Sequence, residues 1–253
     1  MFVRYRQLMA EVRRSYSPEK AREELQNEWL ASVFYRPVSF WITPFFLRLG
    51  LSADAVTALG FGVALTMPLA AVVLGAAGFW VVAALGVAMQ VLDCVDGNIA
   101  RTTKRFSPVG SMLDGLFSLQ FWALYFIAVG FLASAIPVGW VGRHGSEIGL
   151  GLAVLHLAQR QMEDAFSDRF DVRVRWEPPV PVVYRHLELR RWAKLIEHVV
   201  AFGVLCVAGA YCTIHVFLGA LAVYQVGLFA LWLPRFVRAV AARSRHARDR
   251  DCE

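Results

Sequence analysis

The chain carries the sequence DCVDGNIAR at residues 93–101 and, after eight further residues, the sequence GSMLDGLFS at residues 110–118. Both segments adjoin long apolar stretches, where ionisable side chains are costly and therefore informative about function. Helical spacing places their small and polar residues on two stripes: Asp93, Asp96, Gly97 and Ala100 on the first, and Gly110, Asp114 and Ser118 on the second. The short connection predicts antiparallel neighbouring helices whose stripes face each other. We therefore expect the carboxylates of Asp93, Asp96 and Asp114 to converge.

Carboxylates that converge repel each other unless cations or protons neutralise them. An all-oxygen ligand set suits Mg²⁺ or Mn²⁺, and a phosphate-bearing substrate would complete the coordination. Arg101 can bind phosphate through its forked guanidinium group. Small residues leave room for the close approach of a ligand: Gly97, Ala100 and Gly110. The alternative interpretation is a set of surface acids that cap helix ends and pair with Lys104 and Arg105.

Composition indicates an integral membrane protein. The 253 residues are 57% hydrophobic and only 18% charged, and the mean hydropathy is +0.48. These values exclude an ordinary cytosolic enzyme and an intrinsically disordered chain. The four cysteines form no C-x-x-C pair, which argues against a structural zinc site. The net charge of +6 could suggest a nucleic-acid partner, but the excess of basic residues in cytoplasmic loops is the simpler explanation.

Apolar stretches of about 20 residues predict an all-α fold with six transmembrane helices. We place these spans at residues 55–75, 79–100, 110–136, 146–166, 193–213 and 214–234. With this assignment every basic residue except Arg143 lies on one side of the membrane. Both termini are therefore predicted to be cytoplasmic.

The span assignment divides the chain into three parts. Residues 1–50 mix charged and aromatic side chains, which is typical of an amphipathic helical segment in the interface. A solvated leader with a few anchoring aromatic residues is the alternative. Residues 51–236 form the predicted six-helix domain, and residues 237–253 form a basic cytoplasmic tail.

The two signature segments resemble the pattern of the CDP-alcohol phosphotransferase (CDP-alcohol phosphatidyltransferase) family, D-x-x-D-G-x-x-A-R, eight residues, G-x-x-x-D-x-x-x-D. Seven of its eight fixed positions match, and Ser118 stands at the eighth. Upstream, residues 35–39 and 51–57 are similar to the family's R-P-x-S and T-P-N-x-V-T segments, with Asp54 in place of the asparagine. Ser52 or Asp54 could instead serve only as a helix N-cap.

The resemblance implies a two-metal Mg²⁺ or Mn²⁺ site in which an alcohol attacks a CDP-linked donor and CMP is released, in phospholipid or related phosphodiester synthesis. It implies Asp93, Asp96 and Asp114 as metal ligands. It implies nucleotide-binding positions at Asp96, Gly97, Ala100, Arg101 and Gly110. It further implies a homodimer, and a bacterial inner-membrane protein whose active site faces the cytoplasm.

The last signature position raises the question of activity. The resemblance implies a metal-site acid and general base at Ser118, beside the catalytic Asp114, and a neutral hydroxyl serves neither purpose well. One interpretation is an active enzyme whose base is Glu163, Asp164 or a metal-bound hydroxide. The other is a catalytically impaired pseudoenzyme, or an inactivated variant, that binds metal and CDP-alcohol. A small transporter is disfavoured, because the predicted acids lie at the ends of spans and not near the midplane.

Overall fold

The computed structural model describes residues 2–27, 30–170 and 199–251, and all regular secondary structure in these ranges is helical. The α-helices are α1 (Phe2–Ser15), α2 (Pro18–Asn27), α3 (Arg36–Arg48), α4 (Ala53–Leu74), α5 (Gly78–Thr103), α6 (Pro108–Ser134), α7 (Gly139–Arg143), α8 (Gly145–Phe170), α9 (Leu205–Ala210) and α10 (Ile214–Asp251). π-Helical turns at Ala31–Tyr35 and Val199–Val204 lead into α3 and α9, and a 3₁₀ turn at Gly75–Ala77 joins α4 to α5.

Side-chain caps define the starts of the helices around the signature. Ser52 accepts a hydrogen bond from the Ala55 amide at 3.2 Å at the start of α4, and Ser107 accepts one from the Gly110 amide at 3.0 Å at the start of α6. Ser52 is thus the N-cap that the sequence left open. Lys104 ends α5 in the left-handed conformation, with φ of 55°. These caps confine the connection between the two signature segments to a few residues.

Three helical stretches in the described part of the chain are long and apolar enough to cross a membrane: Ala53–Thr103, which contains α4 and α5, Pro108–Ser134, and Ile214–Ala241. Leu65, Leu69, Val72 and Val73 of α4 are exposed apolar side chains, as lipid contact would require. The predicted fourth span, at residues 146–166, lies on α8, which is not among the three stretches. The predicted fifth span, at residues 193–213, lies outside the described residues up to residue 198. The polar connection before it lies outside them from residue 171 onward.

Helix α4 packs along both α5 and α6, whereas α5 and α6 contact each other only sparsely. The sequence led us to expect that the signature stripes pack directly face to face. In the structure they do not. The reason lies in α4, whose Gly60, Ala64 and Ala71 are buried and let neighbouring helices approach closely. Residues of the two signature segments consequently meet across side chains of α4.

Glycines allow α6 and α8 to pack backbone against backbone. A Cβ added at Gly130 would lie 2.6 Å from the carbonyl oxygen of Gly145, and one added at Gly149 would lie 2.6 Å from that of Phe126. Both distances are far below ordinary van der Waals contact, and neither backbone atom can move away cheaply. The absence of a side chain at these glycines therefore sets the spacing of α6 and α8.

The N-terminal helices pack on the membrane domain through α5. Helix α1 contacts both α3 and α5, and α3 lies along α5. The Tyr5 hydroxyl donates to the carbonyl of Trp41, and the ring of Tyr16 packs edge-on against Phe40 at 5.5 Å. Trp41 and Phe45 remain more than half exposed, which leaves an apolar surface for the interface that the sequence predicts.

We expect Gly130→Ala to destabilise the protein by about 1 to 3 kcal/mol, because the new methyl group would force α6 and α8 apart. Gly151→Ala is the matched control, since nothing lies within 4 Å of its added Cβ. Thermal unfolding in detergent, followed by circular dichroism, measures both variants. Equal melting temperatures for the two variants would contradict the close packing.

Candidate functional site

The signature residues occupy the last turns of α5 and the first turns of α6. Asp96 is buried, with 8% of its surface exposed, whereas Asp114 and Ser118 are exposed on α6. The remaining predicted residues are half-buried: Asp93, Gly97, Ala100, Arg101 and Gly110. The predicted set thus extends from a buried carboxyl group on α5 to an exposed surface on α6.

Thr57 of α4 connects the first helical turns of that helix to the signature. Its hydroxyl donates a hydrogen bond of 2.7 Å to Oδ2 of Asp96. The carboxyl groups of Asp96 and Asp114 are close enough for their charges to repel each other. Asp96 and Asp114 therefore interact electrostatically although they belong to helices that barely touch, and the convergence of all three acids stays a prediction.

Asp54 is a further acid at the site to which the sequence assigned no chemical role. A Cβ added at Gly110 would lie 2.2 Å from Oδ1 of Asp54, so this carboxylate occupies the space that glycine leaves open. Asp54 lies one turn before Thr57, and the two side chains therefore share a face of α4. One face of α4 thus contacts α5 through Thr57 and α6 through Asp54.

The described part of the chain contains no group of three or more His, Cys, Asp or Glu side chains arranged to hold a metal ion. The donor chemistry nevertheless fits a hard divalent cation, because Asp96 and Asp114 are oxygen ligands with mutually repelling charges. A cation would relieve that repulsion. The metal site therefore stays a prediction from the sequence.

Asn98, within the first signature segment, is the centre of a buried hydrogen-bond network. Its Oδ1 accepts from Nη1 of Arg36 and from Nη2 of Arg101, each at 3.0 Å. Its Nδ2 donates to Ser39 at 2.9 Å and to Thr43 at 3.1 Å. The fully buried amide therefore uses both acceptor and both donor positions.

Arg36 connects this network to the N-terminal helices. Its Nε donates to Oε2 of Glu24 at 3.0 Å, its Nη2 donates to Oε1 of the same residue, and its Nη1 also donates to the Cys94 carbonyl at 2.7 Å. Both charged partners are buried. The Tyr16 hydroxyl donates to Oε2 of Glu24 at 2.8 Å. Arg36 lies in a segment that the sequence had matched to the family, but no signal in the sequence singled out Glu24 or Tyr16.

These contacts shift the pKa values of the acidic groups. Burial raises the pKa of the Tyr16 phenol, and its hydrogen bond to Glu24 adds to the effect. Burial also acts to raise the pKa of Glu24, but the hydrogen bonds and positive charge of Arg36 outweigh it and hold that pKa below the usual 4.5. Glu24 is therefore ionised at neutral pH and neutralises Arg36.

The structure places the alternative bases on α8. Glu163 is buried and accepts hydrogen bonds from Nη1 of Arg160 at 3.1 Å and from Nε2 of Gln159 at 3.3 Å. Asp164 is exposed. Gly145 lies against Ser134, and Gly149 lies against Phe126, so α8 runs antiparallel to α6. Residues near the end of α8 therefore lie level with the first turns of α6.

Residues 51–171 match the model of the CDP-alcohol phosphatidyltransferase family. The matched range contains both signature segments together with Asp54 and Thr57. It excludes α1, α2 and α3. A comparison with curated proteins gave no match to the chain.

Loss of the Glu24 carboxylate should detach the N-terminal helices. We expect Glu24→Ala to destabilise their docking by about 3 kcal/mol, because Arg36 would remain buried without its counter-ion. Glu19→Ala, on the same helix, is the control, because the Glu19 side chain lies in water. Limited proteolysis of α1 and α2 measures the docking. Equal cleavage rates in the two variants would show that the ion pair does not hold these helices.

The same pair predicts a dependence on pH. Because the folded pKa of Glu24 is lowered, its stabilisation is complete above the usual value of 4.5 and is lost as the pH falls through the lowered pKa. Hydrogen-exchange protection factors in α1 and α2, which are corrected for the intrinsic effect of pH on exchange, should therefore fall on acidification of the wild type. Glu24→Gln should remove that acid-dependent component, and a component of equal size in both proteins would assign it to another group.

Proposed function

Because residues 51–171 form a domain of the CDP-alcohol phosphatidyltransferase family, we propose that the chain transfers a substituted phosphate group from a CDP-linked donor to an alcohol acceptor and releases CMP. The product would be a phospholipid or a related phosphodiester. The observation that carries the proposal is the signature itself, in which the charges of Asp96 and Asp114 interact.

In this reaction the acceptor hydroxyl oxygen attacks the phosphorus that carries the donor alcohol. A new phosphorus–oxygen bond forms, the pyrophosphate bond breaks, and CMP leaves with the electron pair. The guanidinium of Arg101 would bind phosphate oxygens. The missing side chain at Gly97 leaves room for that guanidinium, and the one at Gly110 leaves room for the Asp54 carboxylate. The hydroxyl proton must pass to a base.

The carboxylates of Asp93, Asp96 and Asp114 are the residues that would hold Mg²⁺ or Mn²⁺. A bound divalent ion would supply positive charge that offsets the charge of the pyrophosphate. Thr57 orients the Asp96 carboxyl group by donating to Oδ2. Asp54, against Gly110, adds negative charge at the start of α6 and would strengthen the attraction for a cation.

The second candidate function is that of a weakly active or inactive relative, because Ser118 stands in the last position of the signature. Its hydroxyl cannot accept a proton at neutral pH. Glu163, which accepts hydrogen bonds from Arg160 and Gln159, and the exposed Asp164 are both candidates for the role of proton acceptor. A metal-bound hydroxide is the remaining alternative.

We further propose six spans, cytoplasmic termini and a site that faces the cytoplasm of a bacterial inner membrane. The distribution of basic residues and the apolar stretches within Ala53–Thr103, Pro108–Ser134 and Ile214–Ala241 support this topology. The homodimer is a proposal that rests on the family alone.

Release of CMP by the purified protein in lipid nanodiscs tests the function. We expect one pairing of a CDP-linked lipid or polar CDP-alcohol with an acceptor to release CMP in the presence of Mn²⁺. The variant Asp96→Asn is the blank, because it removes a predicted ligand charge with little change in shape. Release that never exceeds the blank, with Mn²⁺ and CDP still bound, would favour the inactive relative.

The role of position 118 has its own test. We expect Ser118→Asp to raise turnover, on the order of 10²-fold where the wild type lacks a base, because it adds a proton acceptor beside Asp114. Ser118→Asn is the matched control, since it has nearly the same shape without the charge. A rate that is unchanged or lower in Ser118→Asp would count against this position as that of the base.

A further inference from the structure

Helices α1 to α3 and their connections lie outside the matched family domain, yet Tyr16, between α1 and α2, contacts Arg101 of the signature. The ring of Tyr16 lies near two guanidinium groups, with its centroid 5.9 Å from Cζ of Arg101 and 5.3 Å from Cζ of Arg36. Both distances are within the range of a cation–π interaction. Tyr16 itself is held by Glu24 and Phe40.

The guanidinium of Arg101 is held from several sides. Its Nη2 donates to Asn98, and the group lies against Gly97, where an added Cβ would be 3.1 Å from Nη2. Its Nε is buried and has no hydrogen-bond partner in the described part of the chain. An unsatisfied buried donor costs free energy, and a ligand oxygen would remove that cost.

The way in which Arg101 is held leaves donors available. A cation–π contact fixes the plane of a guanidinium group without using its N–H donors, which remain free for phosphate. Asn98 occupies Nη2 alone and also binds Arg36, so the same amide aligns the signature arginine and the arginine that anchors the N-terminal helices. The position of Arg101 is therefore coupled to the docking of α1 and α2.

We propose that Tyr16 and Asn98 are positioning residues for Arg101, and that the N-terminal helices thereby complete the binding site for the donor pyrophosphate. The proposal rests on the proposed function for the identity of the ligand. It assigns to Tyr16, which lies outside the family domain, a part in donor affinity that acts through the orientation of one guanidinium group.

The test compares KM for the CDP-linked donor and kcat in four proteins: wild type, Tyr16→Leu, Arg101→Ala and the double variant. Leucine retains packing against Phe40 but removes the aromatic face. We expect Tyr16→Leu to raise KM roughly fivefold with kcat nearly unchanged. In the Arg101→Ala background, Tyr16→Leu should have no further effect, because the residue that it positions is gone. An effect of equal size in both backgrounds would overturn the proposal.

Two further variants separate positioning from simple docking. Tyr16→Phe keeps the ring and loses the bond to Glu24, so we expect it to recover most of the donor affinity lost in Tyr16→Leu. Tyr5→Phe removes a different contact of α1, the one with Trp41, and should leave KM at the wild-type value. An equal rise in KM for Tyr5→Phe and Tyr16→Leu would show that only the docking of α1 matters.

Binding of CDP with Mn²⁺, measured by calorimetry, distinguishes failure of this proposal from failure of the proposed function. CDP affinity that falls in Tyr16→Leu and recovers in Tyr16→Phe supports positioning even where no CMP is released. CMP release by the wild type with an unchanged donor KM in Tyr16→Leu overturns positioning and leaves the transferase intact. Absence of both CDP binding and CMP release in the wild type overturns both proposals.

Discussion

The buried guanidinium of Arg36 imposes the constraint on which the N-terminal half of the structure depends. An arginine cannot lose its charge in a protein, so every donor that is removed from water needs a partner. The partners come from three places along the chain: Glu24 on α2, and the Cys94 carbonyl and Asn98 on α5. Satisfying this one group therefore requires α2 and α3 to lie on the signature helix, and α1 follows through Tyr16.

Helix α4 has the corresponding role for the signature. Its buried small residues allow α5 and α6 to pack on it from different sides, and its first turns carry Asp54 and Thr57 to the two signature segments. The same helix thus sets the distance between α5 and α6 and contributes polar groups where they approach each other. Packing and chemistry are coupled, because a displacement of α4 would move both Asp96 and its hydrogen-bond donor.

Charge balance connects these two parts. Arg36 and Arg101 share the oxygen of Asn98, and their mutual repulsion is offset by Glu24 on one side. Asp96 and Asp114 repel each other on the other side of the signature helix. Carboxylates that repel each other would bind a divalent cation, and the unsatisfied donor of Arg101 would bind a phosphate oxygen.

The sequence by itself determined the helical class, the positions of α4, α5 and α6, and the residues of the signature, because apolar length and short-range spacing are properties of the local chain. Its spans after α6 were harder to recognise, since α8 mixes Glu163 and Arg160 with apolar residues. Only the tertiary structure decided that α4 packs against both signature helices, that Tyr16 reaches Arg101 and that Arg36 shares Asn98 with it. These contacts join residues that are far apart in the sequence. They depend on burial and hydrogen-bond geometry, and neither of these two properties leaves a periodic signal in the chain.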